Sequence, residues 1–130
     1  MDGFESFGSG SFCPVLVAPS VTEFLVKENK SDRRHVAKIG QILEKLSVYG
    51  PLHLNNTEQF KHEGKFPTGN VRGGDVSVYV VKAFQLRVYG GLVRRNGKSM
   101  FVCIEAAKKK KNRADQQQLK RVARIIGELQ

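Results

Sequence analysis

Lys61, His62, Glu63 and Lys65 gather two amines, an imidazole and a carboxylate within five positions. Lysines in such a set hold phosphate while His62 or Glu63 moves a proton, since imidazole exchanges protons near neutral pH. The same residues make an exposed polar turn equally well, and their spacing leaves both readings open. A second concentration, Lys108-Lys109-Lys110-Lys111-Asn112-Arg113, places five cations in six residues. Such a run is either a solvated basic segment or one wall of an RNA-binding groove. Its place between an apolar run and a closing helix favours the groove. A third set lies in Phe84-Gln85-Leu86-Arg87-Val88-Tyr89. Alternation along a strand puts Phe84, Leu86 and Val88 against the helices and Arg87 and Tyr89 on an open face. There an arginine grips phosphate through two parallel hydrogen bonds, and a tyrosine offers a ring and a hydroxyl. Removing a side chain so exposed is expected to spare the fold. Lys82 falls with Val78 and Val80 and is expected to reach out at its strand end.

Other chemistries find little footing. His35 is expected on a helix surface and His53 in a loop, and no two histidines sit at metal-ligand spacing. Cys13 and Cys103 form no CxxC pair, so neither a disulfide framework nor a metal site is expected. The chain has no GxSxG elbow and no GxxxxGK[ST] loop. No cofactor is implied, and an enzyme built from these residues works with cations and proton donors. No segment has the continuous apolar core of a secretory signal or a membrane span, so a cytoplasmic protein without membrane contact is expected.

The charge is unevenly placed. The 130 residues carry a formal net charge of +10, yet residues 1–60 hold six basic and seven acidic side chains. Residues 61–98 and 108–130 each hold eight basic and two acidic ones, two blocks of +6 that steer a polyanion to one half of the molecule.

These groups need a frame. Residues 1–11, rich in Gly and Ser, are expected to be a flexible leader, followed by a single domain over residues 12–130. After a short strand at Phe12 to Val17, Ser20 with Glu23 three positions on offers a capping box for a short helix over residues 21–30. Ser31-Asp32 caps a second helix to about residue 48, with Val36, Ile39, Leu43 and Leu46 as its apolar stripe, ended by Gly50-Pro51. The short link predicts a helical hairpin. Residues 66–75 read as a Gly-rich loop and candidate lid. Strands are expected over Val76–Lys82, Phe84–Tyr89 and Ser99–Glu105, the last two joined at Asn96-Gly97, a strong type I′ hairpin signal. From about Ala114 a helix carries Leu119, Val122, Ala123, Ile126 and Leu129 on one face. The predicted class is α+β, with the helical hairpin and the C-terminal helix packed on one face of a small twisted, mainly antiparallel sheet.

Over about residues 21 to 129 the chain resembles the RelE/ParE toxin superfamily of type II toxin–antitoxin systems, in particular its HigB-like and phage-derived branch. The residues that carry the resemblance are Leu43-Glu44-Lys45-Leu46, Tyr49-Gly50-Pro51-Leu52, Gln59-Phe60-Lys61-His62, Phe84 through Gly90, and Phe101-Val102-Cys103-Ile104 leading into Lys108 through Asp115. The resemblance implies a toxin that cleaves mRNA on the ribosome without a metal. A base activates the ribose 2′-OH for attack on the adjacent phosphate, cations stabilise the developing charge, and an acid protonates the leaving oxygen. It also implies a cognate antitoxin. By position, Arg87 matches the family's sheet arginine, Lys61 and Lys65 its basic residues before the central strands, and Lys108, Lys109 and Lys110 the basic segment after the last strand. Glu105 stands where many HigB-like members have a histidine, so Glu105 or His62 is the expected base. Tyr89 completes the expected catalytic set, and Lys82, Arg94, Arg95, Lys111 and Arg113 extend the RNA-binding surface. Two other readings stay open, a ParE-like inhibitor of DNA gyrase and a non-catalytic basic nucleic-acid-binding module.

Overall fold

Runs such as Val78-Tyr79-Val80-Val81 and Phe101-Val102-Cys103-Ile104 have no polar face, so strands made from them must be covered on both sides. The computed structural model describes residues 3–54, 57–70, 74–110 and 115–130. In chain order its elements are β1 (Glu5–Ser9), β2 (Pro14–Val17), α1 (Pro19–Asn29), α2 (Arg33–Tyr49), α3 (Pro51–Leu54), β3 (Phe60–Pro67), β4 (Asp75–Ala83), β5 (Leu86–Arg95), β6 (Lys98–Lys108) and α4 (Gln116–Leu129). The class is α+β. The strands form one mixed sheet in the order β1-β2-β6-β5-β4-β3, with β2 parallel to β6 and every other pairing antiparallel. The segment expected to be a leader therefore contributes edge strand β1. The cluster from Lys61 to Lys65 lies in edge strand β3, and only residues 68–74 remain between β3 and β4.

The helices do not share one face of the sheet. Val21 and Leu25 of α1 and Ile39, Leu43 and Leu46 of α2 pack with Val15, Val17, Tyr79, Val81, Leu86, Val88 and Cys103. Leu119, Val122, Ala123 and Ile126 of α4 pack instead with Val78, Val80, Tyr89, Val93, Val102 and Ile104, which have the opposite strand parity. α4 thus covers the face expected to be open. Each fully buried aliphatic side chain beneath it contributes roughly 1.5–3 kcal/mol. Tyr89 belongs to this second core and is only 1% exposed.

Local signals account for several boundaries. Asp32 caps α2 by accepting the His35 backbone N–H at 3.4 Å. Gly50, with φ of 85°, ends that helix before Pro51. α1 starts one residue before its expected cap. Pro19 occupies its first turn, where a missing N–H is tolerated, and Ala18 holds the cap position without a side-chain bond. Ser20 instead donates its hydroxyl to the Ile104 carbonyl at 3.4 Å, tying α1 to β6. Asn96 and Gly97 have φ of 53° and 75°, the positive pair that a type I′ turn requires. No helix among the described residues is long and apolar enough to cross a membrane.

The close seat of α4 depends on a glycine. A Cβ at Gly127 would lie 2.6 Å from the Cβ of Thr68. Thr68 is itself fixed by its N–H and hydroxyl, which donate to the Gly74 carbonyl at 3.0 and 3.2 Å. In an open helix interior Gly→Ala gains about 1 kcal/mol, whereas overpacking a fixed contact costs about 1–3 kcal/mol. Gly127→Ala is therefore expected to lower stability in a denaturant titration, the reverse of the helix-propensity effect.

Candidate functional site

β4 and β5 are joined by a two-residue turn, Phe84-Gln85, between the paired residues Ala83 and Leu86. Phe84 takes φ of 54°, in the left-handed region that bulky residues avoid. Its ring projects outward, 66% exposed, instead of being buried beneath the helices. Around this turn opens a cleft of about 890 Å³. α2 supplies Arg34, His35, Lys38 and Gln41, the approach to β3 supplies Glu58 and Gln59, the strands supply Lys61, Lys82, Ala83 and Arg87, and the turn supplies Phe84. Among the described residues, five cations thus line it against one carboxylate, that of Glu58.

Two of the cations oppose each other. Lys82 and Arg87 are cross-strand partners, and like charges in that position destabilise a sheet. Burial lowers the Lys82 pKa from the usual amine value. The nearby Glu63 carboxylate opposes that shift, and the Arg87 and Lys61 charges add to it. Arg87 is only 4% exposed, and its Nη1 donates to the carbonyls of Phe84 and Leu86, the latter at 3.1 Å. Its guanidinium therefore braces the strained turn as well as lining the cleft.

Across the cleft, His35 is held from behind. Its Nδ1 lies 2.7 Å from Oδ1 and 3.0 Å from Oδ2 of Asp32. An ionised carboxylate only accepts, so Nδ1 is the donor, and in the neutral ring that tautomer leaves the lone pair on Nε2. The imidazole also stacks on Phe84, with ring centroids 5.1 Å apart and planes at 27°. Expected on a helix surface without a role, His35 is the imidazole that the fold brings to the cations. Its signal was the three-residue spacing from Asp32, which serves both the helix cap and the ring nitrogen.

Of the residues expected in the site, Arg87, Lys61 and Lys82 line the cleft. The other described ones stand elsewhere. A bulge in β3 shifts the register between His62, opposite Tyr79, and Gly64, opposite Val78. As a result Lys65, opposite Ser77, falls on the other face of the sheet from Lys61, opposite Val80. His62 packs against Tyr79 at a centroid distance of 5.0 Å. Glu105 forms a two-pronged ion pair with Arg121 of α4, at 2.6 Å from Nε and 2.8 Å from Nη2. Burial pushes the Tyr89 pKa up to about 12, against the pull of Arg87. Its ring lies 5.6 Å from the Lys109 ammonium rather than in the cleft.

Arg94 and Arg95 are exposed at the far end of β5, seven and eight residues from Arg87, or roughly 25 Å along an extended strand. Lys108 pairs with Leu86 across the ladder, so the basic tract leaves β6 at the same sheet end as Arg87. Its described residues, Lys108, Lys109 and Lys110, do not line the cleft. Lys108 Nζ lies 3.6 Å from Glu28 of α1, and Lys110 is exposed. Lys111 and Arg113 fall outside the described residues. Among the described residues, no three His, Cys, Asp or Glu side chains converge to hold a metal ion. No protein-family model, curated protein or solved structure matches the chain.

Proposed function

We propose that the cleft around the β4–β5 turn binds the phosphate backbone of RNA and cleaves it without a metal. The observation that carries this reading is the opposed pair Lys82 and Arg87, within a cleft that also holds Lys61, Arg34 and Lys38. Crowded cations weaken the fold, and a phosphate among them removes that cost while gaining charge-assisted hydrogen bonds. His35, with Nδ1 held by Asp32, supplies the base. In the proposed reaction the 2′-OH proton passes to Nε2, the 2′-oxygen bonds to phosphorus and the bond from phosphorus to the 5′-oxygen breaks. The products are a 2′,3′-cyclic phosphate and a 5′-OH. Lys82, whose ammonium is made more acidic by burial and cationic neighbours, donates the proton to the leaving oxygen. Arg87, Lys61 and the α2 cations stabilise the charge on the phosphorus oxygens.

The resemblance to RelE/ParE toxins extends the proposal: the RNA is mRNA on the ribosome, and a cognate antitoxin restrains the protein. Induction in a bacterium, with mapping of mRNA 5′ ends, tests it. New 5′-OH ends that disappear in Lys82→Ala are the expected result. Neutralising Lys108, Lys109 and Lys110 is expected to weaken RNA binding while leaving the cleavage of bound RNA intact. Growth arrest with intact mRNA overturns the cleavage reading, and inhibition of supercoiling by the purified protein would then favour gyrase as the target. RNA binding abolished by the tract substitutions but indifferent to Lys82 and Arg87 would mark a non-catalytic module.

A further inference from the structure

We propose that Phe84 is a stacking platform for an unpaired nucleobase, so that the cleft selects single-stranded RNA. This inference rests on the phosphate-binding reading above. Phe84, at 66%, is the most exposed Phe or Tyr among the described residues. It also occupies φ of 54° at a turn position where glycine is the unstrained choice. Neither feature serves folding, because the ring adds little to either core and the backbone carries strain to hold it out. One ring face rests on His35, at a centroid distance of 5.1 Å, which fixes its orientation at the mouth of the cleft. The exposed remainder of the ring is open to a partner.

The surroundings choose that partner. Lys82, Arg87, Lys61, Arg34 and Lys38 line the same cleft, so whatever stacks on Phe84 sits beside groups that hold phosphate. A flat ring attached to a phosphate chain is a nucleotide, and its base is free to stack only where the strand is unpaired. Aromatic stacking with cations along the backbone is the general means of holding single strands.

Fluorescence anisotropy with a short 2′-O-methyl oligoribonucleotide measures binding without cleavage, because the attacking hydroxyl is blocked. The same strand carrying abasic residues and a blunt duplex of the same length complete the set. The wild-type protein is expected to bind the base-bearing strand on the order of tenfold more tightly than the abasic one. Phe84→Ala is expected to erase that difference and leave abasic binding unchanged, and Phe84→Trp to restore it. Phe84→Gly suits the positive φ and should match the Ala variant in binding while melting no lower than wild type, which separates loss of the ring from loss of fold. Equal wild-type binding of the base-bearing and abasic strands, a preference for the duplex, or wild-type affinity in Phe84→Ala overturns the platform and leaves the phosphate cleft standing. Failure of the wild type to bind either strand overturns both.

Discussion

His35→Ala is expected to slow RNA cleavage by about 10²–10⁴-fold, the usual loss when a general base is removed, while RNA binding changes little. The fold should survive the substitution. The Asp32 cap accepts the backbone N–H of residue 35, which alanine retains, and the stack lost from Phe84 lies at the surface. A truncated imidazole leaves room for a soluble one, so added imidazole should recover part of the rate. Asp32→Asn sharpens the test, because an asparagine still caps α2 but no longer demands a proton on Nδ1. A rate loss there with an unchanged thermal midpoint would assign Asp32 to positioning the ring. Wild-type cleavage by His35→Ala would remove His35 from the reaction.

Arg87→Ala is expected to cost on the order of 100-fold or more in cleavage, the scale of losing one donor to a developing oxyanion. Stability falls with it. The side chain is buried and its Nη1 donates to the Phe84 and Leu86 carbonyls, so its loss strands acceptors at a strained turn, at about 1–3 kcal/mol. That differs from the expectation of a solvent-facing arginine whose removal spares the fold. Two measurements separate the effects: cleavage rates taken well below the melting midpoint, and the titration of Lys82. Removing the neighbouring positive charge should raise the Lys82 pKa, since Arg87 is among the causes that depress it. Arg87→Lys keeps the charge and loses the planar fork, so it should hold the Lys82 pKa down yet cleave poorly. Full activity in both Arg87 variants would mean that this cation does not touch the phosphate.

Several elements were legible because their causes are local. The stripe of α2, its Asp32 cap, its Gly50 stop, the Asn96-Gly97 turn and the apolar face of α4 follow from periodicity and from residues that only certain backbone conformations suit. The cleft was legible in part. Lys61, Lys82 and Arg87 were singled out, but Arg34, His35 and Lys38 were not, because a helix surface rich in cations looks the same whether it faces solvent or a binding site. Lys65 illustrates a different limit. Four residues from Lys61, it would share a face with it in a regular strand, and the bulge reverses that. Tyr89 was assigned to an open face because helical periodicity says that a stripe is buried, not against which side of a sheet. The unbroken apolar runs in β4 and β6 were the available sign that both sides are covered.

By itself, then, the sequence determined the α+β class, the two long helices, the Asn-Gly hairpin and the concentration of positive charge in the second half of the chain. These depend on neighbours three or four positions apart and on composition. Only the tertiary structure decided that α4 lies on the opposite face from α1 and α2, burying Tyr89. The same structure placed Glu105 against Arg121 and brought Arg34, His35 and Lys38 of α2 to Lys61, Lys82 and Arg87 around a strained turn. The physical reason is that these partners lie 16 or more residues apart. Which face a helix covers, and where a single extra residue reverses a strand, is settled by packing across the whole sheet, and no local pattern encodes it.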